Sequence, residues 1–178
     1  ANNGRNDRSI PWGNNPPFYR AANEARQAFQ VFWNGGDHGM TKSCPKDMYP
    51  SDQELFRYRL DRCFVAFSNS SDNKDYGDGD SKKGDTVGWI NRGLSFSEVK
   101  ETPKRCEVTL RAAHPEIRYP VRADVTLRRR QQFRPAPGSS IKVTVNGKTA
   151  SMRVPSGPLT IPGIVFADDK PVTLLLEQ

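Results

Sequence analysis

Residues 141–154 read Ile-Lys-Val-Thr-Val-Asn-Gly-Lys-Thr-Ala-Ser-Met-Arg-Val. Ile141, Val143 and Val145 alternate with Lys142 and Thr144, the period of a strand with one covered face. Asn146-Gly147 follows, and both residue types tolerate the positive φ that a type I′ turn demands at its two central positions. The stretch predicts a hairpin of strands Ile141–Asn146 and Thr149–Val154. Alternation recurs in Ala123-Asp124-Val125-Thr126-Leu127. Further strands are predicted at Thr86–Asn91, Cys106–Ala112, Arg122–Arg128, Leu159–Phe166 and Val172–Leu176. About seven short strands with no helix between them favour an antiparallel β-sandwich of immunoglobulin or fibronectin type over residues 85–178.

The rest of the chain differs. It has 178 residues, enough for one large domain or two small ones. Mean hydropathy is −0.75, polar for a globular protein, yet 10% of residues are aromatic, which argues against wholesale disorder. No run approaches the roughly 18 to 20 apolar residues of a membrane-spanning helix, so no membrane span is expected. Net charge is +7, and the surplus sits late: residues 101–178 carry 13 Lys and Arg against 7 Asp and Glu. A basic surface of this kind attracts anionic polymers when it is concentrated and is merely solvated when it is spread.

In residues 1–50, Asn14 or Asn15 followed by Pro16 and Pro17 marks a helix start. Phe18, Ala21, Ala22, Ala25, Ala28 and Phe29 recur at helical spacing and predict a helix of about 14 residues. Val31-Phe32-Trp33 follows without alternation, as in a strand covered on both faces. Gly35-Gly36 ends that strand, and Asp37-His38-Gly39 comes next. Asp7 lies in the loop before the helix and His38 in the loop after the strand, so an αβ unit would return both to one rim of a parallel sheet. A carboxylate there can orient an imidazole and stabilise its protonated form during attack by a hydroxyl.

Gly4, Asp7, Ile10, Pro11, Gly36, His38 and Gly39 together resemble the C-terminal end of the catalytic domain of the α/β-hydrolases, most like the prolyl oligopeptidase and acetyl-esterase relatives. In that family a Gly-x-x-Asp-x-x-(Val/Ile)-Pro loop carries the acid, a helix and the last strand follow, and Gly-x-His-Gly carries the base. The resemblance implies that Asp7 is the orienting acid and His38 the general base of a serine hydrolase of esterase or peptidase type. No Gly-x-Ser-x-Gly occurs: Gly79-Asp80-Ser81-Lys82-Lys83 and Gly93-Leu94-Ser95-Phe96-Ser97 both lack the final Gly. The family's nucleophile would then lie upstream of Ala1, in a catalytic domain of which this chain is the C-terminal part, inactive alone. The partners implied are an ester or peptide substrate and that upstream domain.

The expected fold is thus mixed: residues 1–50 as the terminal αβ unit of an α/β-hydrolase fold, 51–84 as a linker with an acidic loop, and 85–178 as a sandwich. Taken from a larger sheet, strand 31–33 would leave Phe32 and Trp33 to pack on the sandwich or stand exposed. The run from Phe64-Val65-Ala66-Phe67 through Gly88-Trp89-Ile90-Asn91 to Asp124–Arg129 is similar to the tails of large secreted bacterial hydrolases, which implies an extracellular or periplasmic protein. The competing class is a non-catalytic sandwich that binds an anionic polymer or a partner domain.

Other groups are weighed by their chemistry. Asp72, Asp75, Asp78 and Asp80 alternate with Gly as in calcium loops, but Lys74 falls at a ligand place and no Glu closes the loop, so a solvated loop is expected over 72–85. Arg128-Arg129-Arg130 and Arg134 match carboxylate or phosphate, yet in a continuing strand alternate side chains diverge and form no single patch. Nucleic-acid binding is therefore disfavoured. Trp12, Trp33 and Trp89 are scattered and expected to pack. Cys44, Cys63 and Cys106 show no zinc-ligand spacing, and one disulfide or three thiols are both open. No metal or cofactor is expected.

Overall fold

The structure, a computed structural model, describes residues 2–37, 57–74 and 87–178. A short strand β1 (Asn2–Gly4) leads through a 3₁₀ turn (Trp12–Asn14) into helix α1 (Asn15–Glu24) and strand β2 (Val31–Asn34). Strands β3 (Phe64–Ser68), β4 (Gly88–Ile90), β5 (Leu94–Phe96) and β6 (Lys100–Glu101) follow. The chain then alternates among long strands: β7 (Arg105–Ala112), β8 (Val121–Arg128), β9 (Ser140–Val145), β10 (Lys148–Arg153), β11 (Leu159–Phe166) and β12 (Val172–Glu177).

Two antiparallel sheets carry the main core. One runs β10-β9-β12-β7-β5, with β6 paired to β7, and the other runs β11-β8-β3. Along β7, Cys106, Val108, Leu110 and Ala112 are buried while Arg105, Glu107 and Thr109 are not, because successive side chains in a strand face opposite sides. The same alternation puts Val121, Ala123, Val125 and Leu127 of β8 against Leu174 and Leu176 of β12 in one continuous cluster. Full burial of each Val or Leu side chain here contributes about 1.5–3 kcal/mol. The Asn146-Gly147 turn has φ of 47° and 79°, and β9 and β10 pair around it in the predicted register, Val145 opposite Lys148. In β11 the register breaks between Ile161 and Ile164, where Gly163 takes φ +66°.

The expected mixed class is corrected. Strands make up 42% of the structure, and the one α-helix among the described residues is ten residues long, without the helix content of an α/β-hydrolase fold. Helix α1 stops early because Arg26 adopts φ +53°, its N–H bonded to Asn23 O at 3.1 Å and that of Gln27 to Ala22 O at 2.9 Å. Residues 27–30 therefore lie outside it. The buried stripe is Tyr19 and Ala22, whereas Phe18, expected on the covered face, is 62% exposed. Strand β2 does pair in parallel with β1, but its other neighbour is antiparallel β4.

These neighbours also answer the question of cover. Trp33 is fully buried, stacked on Tyr19 with ring centroids 6.3 Å apart and in contact with Trp12 at 5.6 Å. Phe32 is buried too. Strand β4 lies in the stretch read as sandwich, and β3, in the stretch read as linker, pairs along its whole length with β8. Asp124 of β8 ties the helical segment to this sheet. Its Oδ2 accepts from Arg26 Nη1 at 3.0 Å and Asn69 Nδ2 at 2.8 Å, and its Oδ1 from Gly163 N at 2.9 Å. No helix among the described residues is long and apolar enough to cross a membrane.

Candidate functional site

Parallel pairing of β1 with β2 puts their C-terminal ends side by side, Gly4 opposite Asn34. The chain then leaves both strands together. Arg5 N–H donates to Asn34 O at 2.8 Å, Asn6 N–H to Gly36 O at 2.9 Å, and the Asn6 side-chain amide to Gly35 O at 2.5 Å. Asn34 Oδ1 accepts from Gly36 N at 2.8 Å and shapes the same turn. The Arg5 guanidinium lies 4.5 Å from the centre of the Trp12 ring and packs the rim from one side.

Asp7 occupies the β1 loop. Its backbone N–H reaches Gly4 O at 3.3 Å, and its Oδ1 accepts from Ser9 N at 2.7 Å and Ile10 N at 2.9 Å. The side chain thus closes its own turn, a local bond pattern that Asp forms readily. These two bonds fix Oδ1 in place. His38, the second predicted site residue, lies outside the described residues, as does Cys44; the last described residue of that loop is Asp37.

Gly4 explains the close approach of the two loops. A Cβ at this position would fall 2.5 Å from Asp37 O and closer still to Gly36 O, both backbone atoms of the neighbouring loop. Any side chain must push the loops apart. Gly4→Ala is therefore expected to lower stability by about 1–3 kcal/mol, the usual cost of overpacking. Urea unfolding checks this, and an unchanged midpoint would mean that the loops are not so tightly apposed.

Asp72, the first residue of the predicted acidic loop, forms an ion pair. Asp72 binds the Arg92 guanidinium, with Nε to Oδ2 at 2.7 Å, and Arg92 also reaches Glu116 Oε2 at 2.8 Å and stacks 3.5 Å from the Trp89 ring centre. Trp89 Nε1 donates to Asp72 O at 2.7 Å. A groove of about 750 Å³ opens beside them, but Arg92 is spent on its own partners. Sequence spacing carries no sign of this cluster, since its members come from three separate segments. Asp75, Asp78 and Asp80 lie outside the described residues. Among the described residues no three His, Cys, Asp or Glu gather as a metal site would require.

The arginine run is the larger correction. Strand β8 ends at Arg128, and Arg129 turns into the left-handed region at φ +54°. The strand alternation that would separate these side chains stops there. Arg128, Arg129, Arg130 and Arg134 consequently line one concavity of about 470 Å³. Cys63 and Cys106, one before β3 and one in β7, are both buried thiols in the shared core. The adjacent Cys106 thiol and burial push the Cys63 thiol well above the usual cysteine range, so it stays protonated and inert. The chain matches no protein-family model, no curated protein and no solved structure.

Proposed function

We propose that the rim formed by β1 and β2 is the acid–base half of a serine hydrolase of esterase or peptidase type. In this reading His38 takes the proton from a serine hydroxyl supplied by polypeptide outside this sequence. The serine oxygen attacks the substrate carbonyl carbon, and His38 then returns the proton to the leaving group as the acyl-enzyme forms. Water repeats the cycle to release the acid. Asp7 holds the imidazole in one tautomer and stabilises its charged form. The observation that carries the reading is the hydrogen bonding of the Asp7 loop to residues 34–36. It brings the loop that runs on into His38 alongside the acid, and Ser9 and Ile10 fix the carboxylate.

The test is a chromogenic ester assay on a polypeptide extended upstream through its native coding sequence, with the 178-residue chain alone as blank. Hydrolysis by the longer protein that falls about 10⁶-fold in His38→Ala supports the reading, the scale of loss when the base of a triad is removed. Equal rates in that variant overturn it, as does an upstream sequence without a serine on a strand-to-helix turn.

A further inference from the structure

We infer that the concavity at the end of β8 binds an anionic glycan, one bearing sulfate or carboxylate groups along its chain. Four arginines, Arg128, Arg129, Arg130 and Arg134, line it together with Pro135 and Pro158, and no acidic residue lines it among the described residues. Four like charges around one hollow make a positive potential that an anion would relieve.

The convergence is built in. The left-handed turn at Arg129 redirects the chain, and Glu101 beneath it accepts from the backbone N–H of Gln131 at 2.9 Å and of Phe133 at 3.1 Å. Glu101 is thereby committed to holding the loop. Arg128 is steadied by Ala25 O at 3.4 Å and Gln27 Oε1 at 3.2 Å, and Arg130 by Phe133 O at 3.5 Å, all uncharged partners. Arg129 and Arg134 stand exposed. Two held and two exposed forks suit the planar, bidentate recognition of carboxylate or sulfate.

The same geometry selects among polyanions. Phe133 is fully buried, so the concavity offers no aromatic face on which unpaired bases could stack. Its arginines gather in one hollow, whereas a duplex needs a stripe of contacts following its phosphates. A flexible chain that presents closely spaced anionic groups can fold one or two of them into the hollow. This site is independent of the Asp7 rim and stands or falls without it.

The experiment measures binding of the 178-residue chain to heparin (sulfate), polygalacturonate (carboxylate), single-stranded polyuridylate and poly-L-glutamate at low salt and at about 0.5 M salt, where surface charges are screened. Binding to heparin or polygalacturonate that weakens with salt and falls about tenfold or more in Arg129→Gln/Arg134→Gln supports the site, and the tighter of the two names the acidic group. Lys104→Gln/Lys148→Gln removes equal charge elsewhere on the surface and should leave binding within about twofold, the small effect of a remote exposed charge. An equal loss in both double variants would reduce the effect to net charge and overturn the proposal. So would tighter binding of polyuridylate or polyglutamate than of either glycan. Circular dichroism of each variant guards against misfolding, and Arg129→Lys/Arg134→Lys keeps the charge while removing the forks; full binding by that variant would also overturn bidentate recognition.

Discussion

Asp7→Asn is expected to lower ester hydrolysis about 10⁴-fold in the serine-bearing protein while leaving the fold intact, the effect of losing the acid of a triad without losing its shape. Oδ1 accepts from Ser9 N and Ile10 N, and an asparagine carbonyl oxygen can accept the same two bonds, so the turn survives. The negative charge does not survive, and with it goes the stabilisation of an imidazolium. Asp7→Ala should lose both, adding roughly 1 kcal/mol of destabilisation per lost bond to the catalytic loss. The pair of variants separates chemistry from scaffolding. Wild-type rates in Asp7→Asn, or a rate loss that tracks a falling unfolding midpoint in both variants, would remove Asp7 from the mechanism.

Much of the β architecture was legible because a strand writes itself into sequence with a period of two. Strands β7 to β12 lie where alternation and turn chemistry put them, and Asn146-Gly147 sits at the tip of its hairpin with both φ values positive. What stayed illegible is long-range or too short to have a period. Asn2–Gly4 spans three residues, and nothing in them announces a strand paired with residues thirty positions away. Helix α1 ends early at Arg26, a residue type that rarely takes φ +53°, so the predicted stripe through Ala28 and Phe29 is too long; of its members Ala22 is buried in the helix while Phe18 faces solvent. The local requirement that Arg26 meets is tertiary: its guanidinium bonds Asp124 and Ser68 across the molecule. Arg129 also takes a positive φ, and the left-handed turn there gathers side chains that strand periodicity would have dispersed. At the rim the pattern Gly4, Asp7 was readable as a motif. The reason for the glycine, carbonyls of a neighbouring loop where a Cβ would go, required coordinates.

The largest loss of stability is expected from Arg92→Ala, about 3–5 kcal/mol, the range for breaking one side of a buried ion pair. Two candidate causes must be weighed. The bridge to Glu116 contributes little, because that carboxylate is 71% exposed and water competes for it. The bridge to Asp72 is different: the two side chains are 4% and 11% exposed, and truncation would strand a carboxylate away from solvent. The stack of the guanidinium on Trp89 at 3.5 Å adds apolar cover that alanine also removes. Against a typical total of about 5–15 kcal/mol, such a loss takes a large share of the stability. Arg92→Lys should not restore it, since an ammonium neither forks onto Asp72 nor lies flat on an indole. Arg92→Met combined with Asp72→Asn should recover a good part, because it keeps the cover on Trp89 and removes the stranded charge. Urea unfolding of the four proteins decides the matter. A loss below about 1 kcal/mol in Arg92→Ala would place this pair among ordinary surface bridges, and a double variant no better than Arg92→Ala would shift the weight from the buried charge to the lost guanidinium contacts.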